Sequence, residues 1–438
     1  MSLHGATPMN PHGDTPMNPH GDTPMNPHGD TPMNPHGDTP MNPSRRGLLL
    51  GLAGAVTLGG SRLALAAGPF GQRRLVVVLL RGALDGLSAV QPYADPAFAG
   101  LRGPLALPEP GMEGGTLDLG GGFGLHPSLP LLHAMYARNQ ALLLHAVAGP
   151  WRSRSHFEAQ DFLESGATHR LPDGWLNRAL DAEPAANRSV QPGAARRGLA
   201  VGVAIPLLLR GAMPVGSYAP PGRLHADTSA LALLAGWHGE DQVLGPAFAE
   251  GLRARGFSAA VLAGQEALPA GTNAFVTLAT AAGRLLATPD GPRVAALELG
   301  GWDTHAGQAG RIAGPLRALD AGLDALRLAL GTAWTETAVL VLTEFGRTVR
   351  FNGTAGTDHG TASVALVLGG AVRGGRVIAD WPGLSAARLL ENRDLMPTLD
   401  QRRIAKGLLA GHLGLGQSAI SRAFPDSADA TQLQGLTA

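Results

Sequence analysis

Five short runs of this 438-residue chain are apolar at nearly every position and rich in branched side chains: residues 74–80, 141–147, 294–299, 338–342 and 364–368. Runs of that length without polar alternation predict strands buried on both faces, as in parallel sheets covered by helices. Between them the spacing changes. Leu316, Leu319, Leu323, Leu326 and Leu330 recur every three or four positions, and residues 129–138 form a shorter stretch of helical character. The leucine stripe predicts a long amphipathic helix. Alternating strands and helices predict an α/β fold, a doubly wound and mostly parallel sheet with helices on both faces. Ligands bind such sheets beyond the carboxyl ends of the strands. The Gly-, Pro-, Ala- and Arg-rich stretch 185–225 predicts an excursion over the sheet, and 226–286 predicts further helix. No stretch between 68 and 438 has the character of a linker, so a single domain is expected there.

The pattern of the first 67 residues is different. Residues 4–43 are five copies of one octapeptide, HGATPMNP once and HGDTPMNP four times. So Pro- and Gly-rich a repeat buries nothing and is expected to be disordered. It has the character of a tandem-repeat expansion ahead of the coding start, with Met41 as an alternative first residue. Ser44-Arg45-Arg46 then precedes an apolar run, 48–58, that is too short and Gly-rich to span a bilayer well. Paired arginines before such a run predict a twin-arginine signal peptide over 44–67, with the twin-arginine export machinery as partner and a periplasmic or secreted location. Ala64-Leu65-Ala66 offers small residues for cleavage. No later segment predicts a transmembrane helix.

Composition narrows the chemistry. Thirty-four basic residues balance 34 acidic ones, so no basic excess points to nucleic acid. Lys406 is the only lysine, which fits a coding bias towards arginine. The absence of cysteine excludes disulfides, thiolate zinc sites, iron–sulfur clusters and cysteine nucleophiles. Any metal must be held by His, Asp, Glu or hydroxyl groups.

Polar residues gather beside glycines at the ends of the predicted strands. Asp85 follows the first strand, and Arg152-Ser153-Arg154-Ser155-His156 follows the second. Asp303 and His305 follow the third, Glu344 follows the fourth, and Asp358-His359 precedes the fifth. In a parallel sheet these groups converge at one edge and offer the oxygen and nitrogen donors that a divalent cation requires. Each also has a plainer use. Asp85 can shape a Gly-containing turn, and Ser155 with Glu158 has the spacing of a helix capping box. Asp303 and His305 alternate, so an extended segment turns them the same way, either as a metal pair or as a hydrogen-bonded turn. His126 and His145 lie in apolar contexts that suit core groups. No dinucleotide fingerprint, P-loop, His-Glu-x-x-His or Gly-x-Ser-x-Gly motif occurs in the required context.

Taken together, Asp85-Gly86-Leu87, Ser155-His156-Phe157-Glu158-Ala159-Gln160-Asp161, Gly301-Trp302-Asp303-Thr304-His305, Thr343-Glu344-Phe345-Gly346-Arg347, Thr357-Asp358-His359-Gly360 and Asn392-Arg393-Asp394-Leu395 resemble the bacterial family catalogued as domain of unknown function 1501. The resemblance covers roughly 74–415. That family is similar to the alkaline phosphatase, sulfatase and phosphoglycerate mutase superfamily, which implies an alkaline phosphatase-like domain. It further implies Asp85, Asp303, His305 and His359 as metal ligands and Ser155 as nucleophile. Glu344-Phe345-Gly346 falls where the superfamily commonly has Asp-His-Gly. Phe345 cannot ligate, which leaves Asp358 or His156 to take the missing ligand's place.

These observations support an exported hydrolase of phosphate or sulfate esters dependent on a divalent ion (zinc, manganese, magnesium or calcium). In it Ser155 attacks, Arg152 or Arg154 steadies the anion, and His156 stands beside the nucleophile. The alternative is a non-catalytic relative that binds a ligand or helps to assemble the envelope. The export reading has a direct check. N-terminal sequencing of the exported protein should give a start near Ala67, and a start within 1–43 would remove the signal-peptide reading.

Overall fold

The computed structural model describes residues 72–181, 198–220, 258, 261–262, 272–289 and 291–438. The repeats of 4–43, the signal at 44–67 and most of the predicted helical stretch 226–286 lie outside the described residues.

Among the described residues nine strands form one sheet: β1 Arg74–Arg81, β2 Ala141–Ala148, β3 Gly198–Val201, β4 Gly216–Tyr218, β5 Val294–Gly300, β6 Thr337–Thr343, β7 Ser363–Leu368, β8 Arg376–Ile378 and β9 Leu399–Asp400. Their order is β8-β2-β7-β6-β1-β5-β3-β4, with β9 also pairing on β2. All five predicted runs are among them. The central strands β1, β2 and β6 are buried almost throughout, which is why their sequences carry no polar alternation.

The sheet is mostly parallel, as expected; one strand is the exception, and one other expectation needs correction. Strand β7 runs antiparallel to both its neighbours, β2 and β6. The loop 344–362 that leads into it contains no helix to carry the chain back across the sheet, so the strand returns from the edge where β6 ended. The described part of 185–225 is no excursion either, because β3 and β4 extend the sheet in parallel beyond β5.

Helices cover both faces. On one face lie α1 Pro130–Ala137, α4 Ala274–Ala287 and α5 Ala313–Leu330; on the other lie α2 His156–Ser165, α3 Trp175–Leu180, α6 Gln401–Gly411 and α7 Gln417–Ala423. The five periodic leucines of α5 are all buried, packing with Val76 and Val78 of β1 and with Phe275, Ala282 and Leu285 of α4. The opposite core joins Leu75, Val77 and Leu79 of the same strand to Leu163, Trp175, Leu408 and Ile420. Alternate residues of β1 thus feed two separate cores. Among the described residues no helix is long and apolar enough to cross a membrane.

Polar residues also help to close the fold. Asp85 follows β1 and caps the short helix Gly86–Ala89, accepting from the backbone N–H of Leu87 at 3.1 Å. Its other oxygen takes the Arg102 guanidinium, the Gln308 amide and the Ser88 hydroxyl. Arg102 is wholly buried and also donates to the carbonyls of Thr348 and Val349 at 3.3 and 3.1 Å. Burial acts to raise the Asp85 carboxyl, but the Arg102 guanidinium together with the Gln308 and Ser88 donors outweighs it and holds the group below the ordinary carboxylate range. Replacing Arg102 by Met leaves a buried carboxylate without its partner. Chemical denaturation at neutral pH should then show a loss of about 3–5 kcal/mol. The native pair contributes above the ordinary carboxylate range, and that contribution is lost as pH falls through the lowered folded value. The deficit of R102M should therefore shrink on acidification.

Candidate metal centre

Strands β1, β5 and β6 end nearly level, with Arg81 paired to Gly300 and Leu80 to Thr343. The segments leaving them meet at once. Gly82 has φ +116°, and a Cβ there would stand 3.0 Å from the Asp303 backbone nitrogen, so the approach suits glycine alone. The antiparallel β7 brings its entrance to the same edge, and with it Asp358 and His359. The segment after β2 delivers Arg154, Ser155 and the first residue of α2, His156.

At this edge, ligand atoms of His156, Asp303 and His359 all lie within 4.8 Å of one another. Asp303 Oδ1 is the hub. It stands 3.5 Å from His156 Nε2, 3.1 Å from His359 Nε2 and 3.0 Å from His305 Nε2. The last two ring nitrogens are 3.0 Å apart. His156 Nε2 is buried and has no hydrogen-bond partner among the described residues. An unpaired buried nitrogen facing a carboxylate and further imidazoles suits a divalent ion, whose nitrogen and oxygen ligands lie ~2.0–2.2 Å away.

The far side of each ring is anchored. His156 Nδ1 is 2.7 Å from Glu344 Oε1, His305 Nδ1 is 3.2 Å from Asp358 Oδ1, and His359 Nδ1 is 2.8 Å from the Arg154 carbonyl oxygen. An acceptor at Nδ1 favours the proton there and leaves the Nε2 lone pair for the cluster. The bond to Glu344 outweighs partial burial and raises the His156 pKa, whereas burial lowers that of His359. Burial also acts to raise the Asp303 carboxyl, but the bonded Arg347 guanidinium, helped by His359, brings it down to about 2.

The structure thus brings four of the predicted residues together (His156, Asp303, His305 and His359) and separates the others. Glu344 and Asp358 stand behind rings instead of among the converging atoms, because their oxygens already accept ring N–H groups; Glu344 also accepts from Gly82 N–H at 2.8 Å and from Gln160 at 3.1 Å. Asp85 is enclosed by Arg102 and takes no part in the cluster. The Arg154 guanidinium is spent on Glu391 and Asp394, both at 2.8 Å, so it is not free to hold an anion. Ser155 caps α2 without a side-chain cap bond and lines a cavity of about 860 Å³ with Arg81, Gln160 and Glu298. Arg347, inside a motif already singled out, had no role assigned; it is buried, donates to the carbonyls of Ala83, Thr357 and Gly82, and grips Asp303.

No curated protein matches the chain. Among solved structures it is similar to Ps i-CgsB in complex with k-i-k-neocarrahexaose, with 10% identity, 82% of this chain and 77% of that chain covered, and a TM-score of 0.38. It is also similar to the phosphonate monoester hydrolase of Agrobacterium radiobacter, with 12% identity, coverage of 78% and 74%, and a TM-score of 0.33. Residues 227–424, which carry Asp303, His305, Glu344, Asp358 and His359, match the family described as protein of unknown function (DUF1501), the family that the motifs resemble.

Proposed function

We propose that this protein is an exported hydrolase of phosphate or sulfate esters with one divalent-metal centre held by His156, Asp303 and His359, and His305 beside them. The observation that carries the proposal is the convergence of Nε2 atoms on Asp303 Oδ1, each ring anchored from behind at Nδ1. Imidazole with carboxylate suits zinc or manganese better than magnesium or calcium, which favour all-oxygen sets. When bound, such an ion polarises an ester oxygen and favours a deprotonated nucleophile. The chain's own residues supply the rest. Ser155 is the nucleophile assigned here, since it directly precedes His156, makes no side-chain cap bond and lines the cavity along α2. Arg347 holds Asp303 in the charged form. Phe345 lies against His156 and His359 with ring centroids 5.0 and 5.1 Å away and keeps water from that side.

A second reading, a relative that binds metal or ligand without catalysis, is favoured by one observation. Arg154 is already neutralised by two carboxylates, and Arg152 donates to the carbonyls of Gly149 and Trp151, so neither is committed to a substrate anion.

Elemental analysis of the dialysed mature protein should find about one divalent ion per chain, lost in Asp303→Ala and His359→Ala. Hydrolysis of aryl phosphate or aryl sulfate by the zinc- or manganese-loaded protein should fall at least a hundredfold in Ser155→Ala, with the metal retained. Bound metal without hydrolysis of either ester would leave the second reading. No bound metal would overturn the hydrolase reading and the metal-binding form of the second.

A further inference from the structure

We infer that residues 391–394 form a clasp that positions His359, with Asp394 as its anchoring carboxylate. The inference rests on the metal-centre reading above. Asp394 is completely buried and lies outside the cluster. One of its oxygens accepts from Arg154 Nη2 and from the Thr361 hydroxyl, both at 2.8 Å; the other accepts from Arg393 Nη1 at 3.0 Å. All three donors lead to the same imidazole. Arg154 is the residue whose carbonyl accepts the His359 ring at 2.8 Å. Thr361 stands two positions beyond His359. Arg393, through its second Nη, donates to the His359 carbonyl at 2.8 Å. A single buried charge therefore gathers the segment before α2, the strand entrance after His359 and its own turn around one ring.

The turn carrying Asp394 is conformationally costly. Glu391 and Asn392 have φ of +53° and +50°, two successive non-glycine residues in the left-handed region. Leu390 and Asp394 exchange backbone hydrogen bonds at 2.9 Å across them, and Arg350 donates to the Asn392 carbonyl at 2.9 Å. Strain of this kind persists where the surroundings over-determine it, and it gathers at functional sites. Here it aims Asp394 and Arg393 at the His359 segment. Without Asp394, the Arg154 and Arg393 guanidiniums lose their common counter-charge, and the carbonyl that fixes the His359 tautomer loses its support. Asp394 is thus a positioning residue that acts on the metal through the orientation of His359 Nε2.

The test compares Asp394→Asn with Asp320→Asn in the full chain. Asp320 accepts from the backbone N–H groups of Leu131 and Leu132 on the opposite face and touches none of the cluster residues. Zinc affinity, measured by competition with a chromophoric chelator, should fall about 10–100-fold in D394N, the usual cost of losing an outer support. The visible spectrum of the cobalt-loaded protein should change with it. D320N should keep the native zinc affinity and cobalt spectrum even if its melting temperature falls. Native affinity and spectrum in D394N would overturn the clasp and leave the centre standing; no zinc binding by the unaltered protein would overturn both. Should D394N fail to fold, Arg154→Met cuts one tie and keeps the backbone carbonyl. Its zinc affinity should then fall in the same direction, and native affinity there would overturn the inference.

Discussion

A carboxylate as buried as Glu344 stays charged only if donors replace the water it has lost. Four groups do so: the backbone N–H of Gly82, the Gln160 amide, the Nδ1–H of His156 and the hydroxyl of Thr343. They come from the end of β1, from α2 and from β6. Satisfying one side chain therefore seats α2 against the sheet, holds the ends of two central strands at a common level and selects the His156 tautomer. Burial, the largest single influence, would raise the Glu344 carboxyl, but the bonds from His156, Gln160 and the Gly82 backbone together outweigh it, so the group stays below its ordinary value. The edge of the sheet and the candidate metal centre share this constraint.

Around that hub, charge is arranged as pairs of arginine and aspartate. Arg102 meets Asp85, Arg347 meets Asp303, and Arg154 meets Asp394. Arg102 and Arg347 also donate to carbonyls of loop residues, so a buried guanidinium and its carboxylate organise backbone as well as neutralise each other. The Asp85 network extends further: Gln308 bonds Asp85 with its amide and accepts the hydroxyls of Thr304 and Thr357 at 2.8 and 2.6 Å. Those two threonines adjoin Asp303, His305 and Asp358. Where the family resemblance implied that Asp85 holds a metal, this chain supplies a fixed cation of its own.

What the sequence disclosed follows from how each feature is encoded. A strand covered on both faces must be apolar at every position, so residues 74–80 and 338–342 announce themselves. The direction of such a strand leaves no mark, because a central strand is equally apolar either way; the reversal of β7 could not be read from 364–368. Helix α5 was legible because one face alone is buried, which imposes the leucine spacing. At the site, Asp303, His305 and His359 could be recognised by residue type near glycines. Their division of labour from Glu344 and Asp358 could not, since a ligand and an outer support have the same composition. Arg102 left no signal at all, because its partner lies across a turn and the residues around it form no motif.

Phe345 shows why these distinctions have physical consequences. It occupies the place where the resemblance expected a metal-binding side chain, yet its ring packs against both His156 and His359. An apolar wall there strengthens each electrostatic contact of the imidazoles and makes an unpaired ring nitrogen more costly. Burial already lowers the His359 pKa, which favours the neutral ring that ligates metal. Glu344 pulls His156 the other way by stabilising its protonated form. In the proposed centre a cation would therefore compete with a proton more strongly at His156 than at His359. The same carboxylate, once the proton has gone, makes the His156 ring the more basic donor. In the proposed centre the carboxylate that favours the competing proton is thus also the one that would strengthen the metal bond.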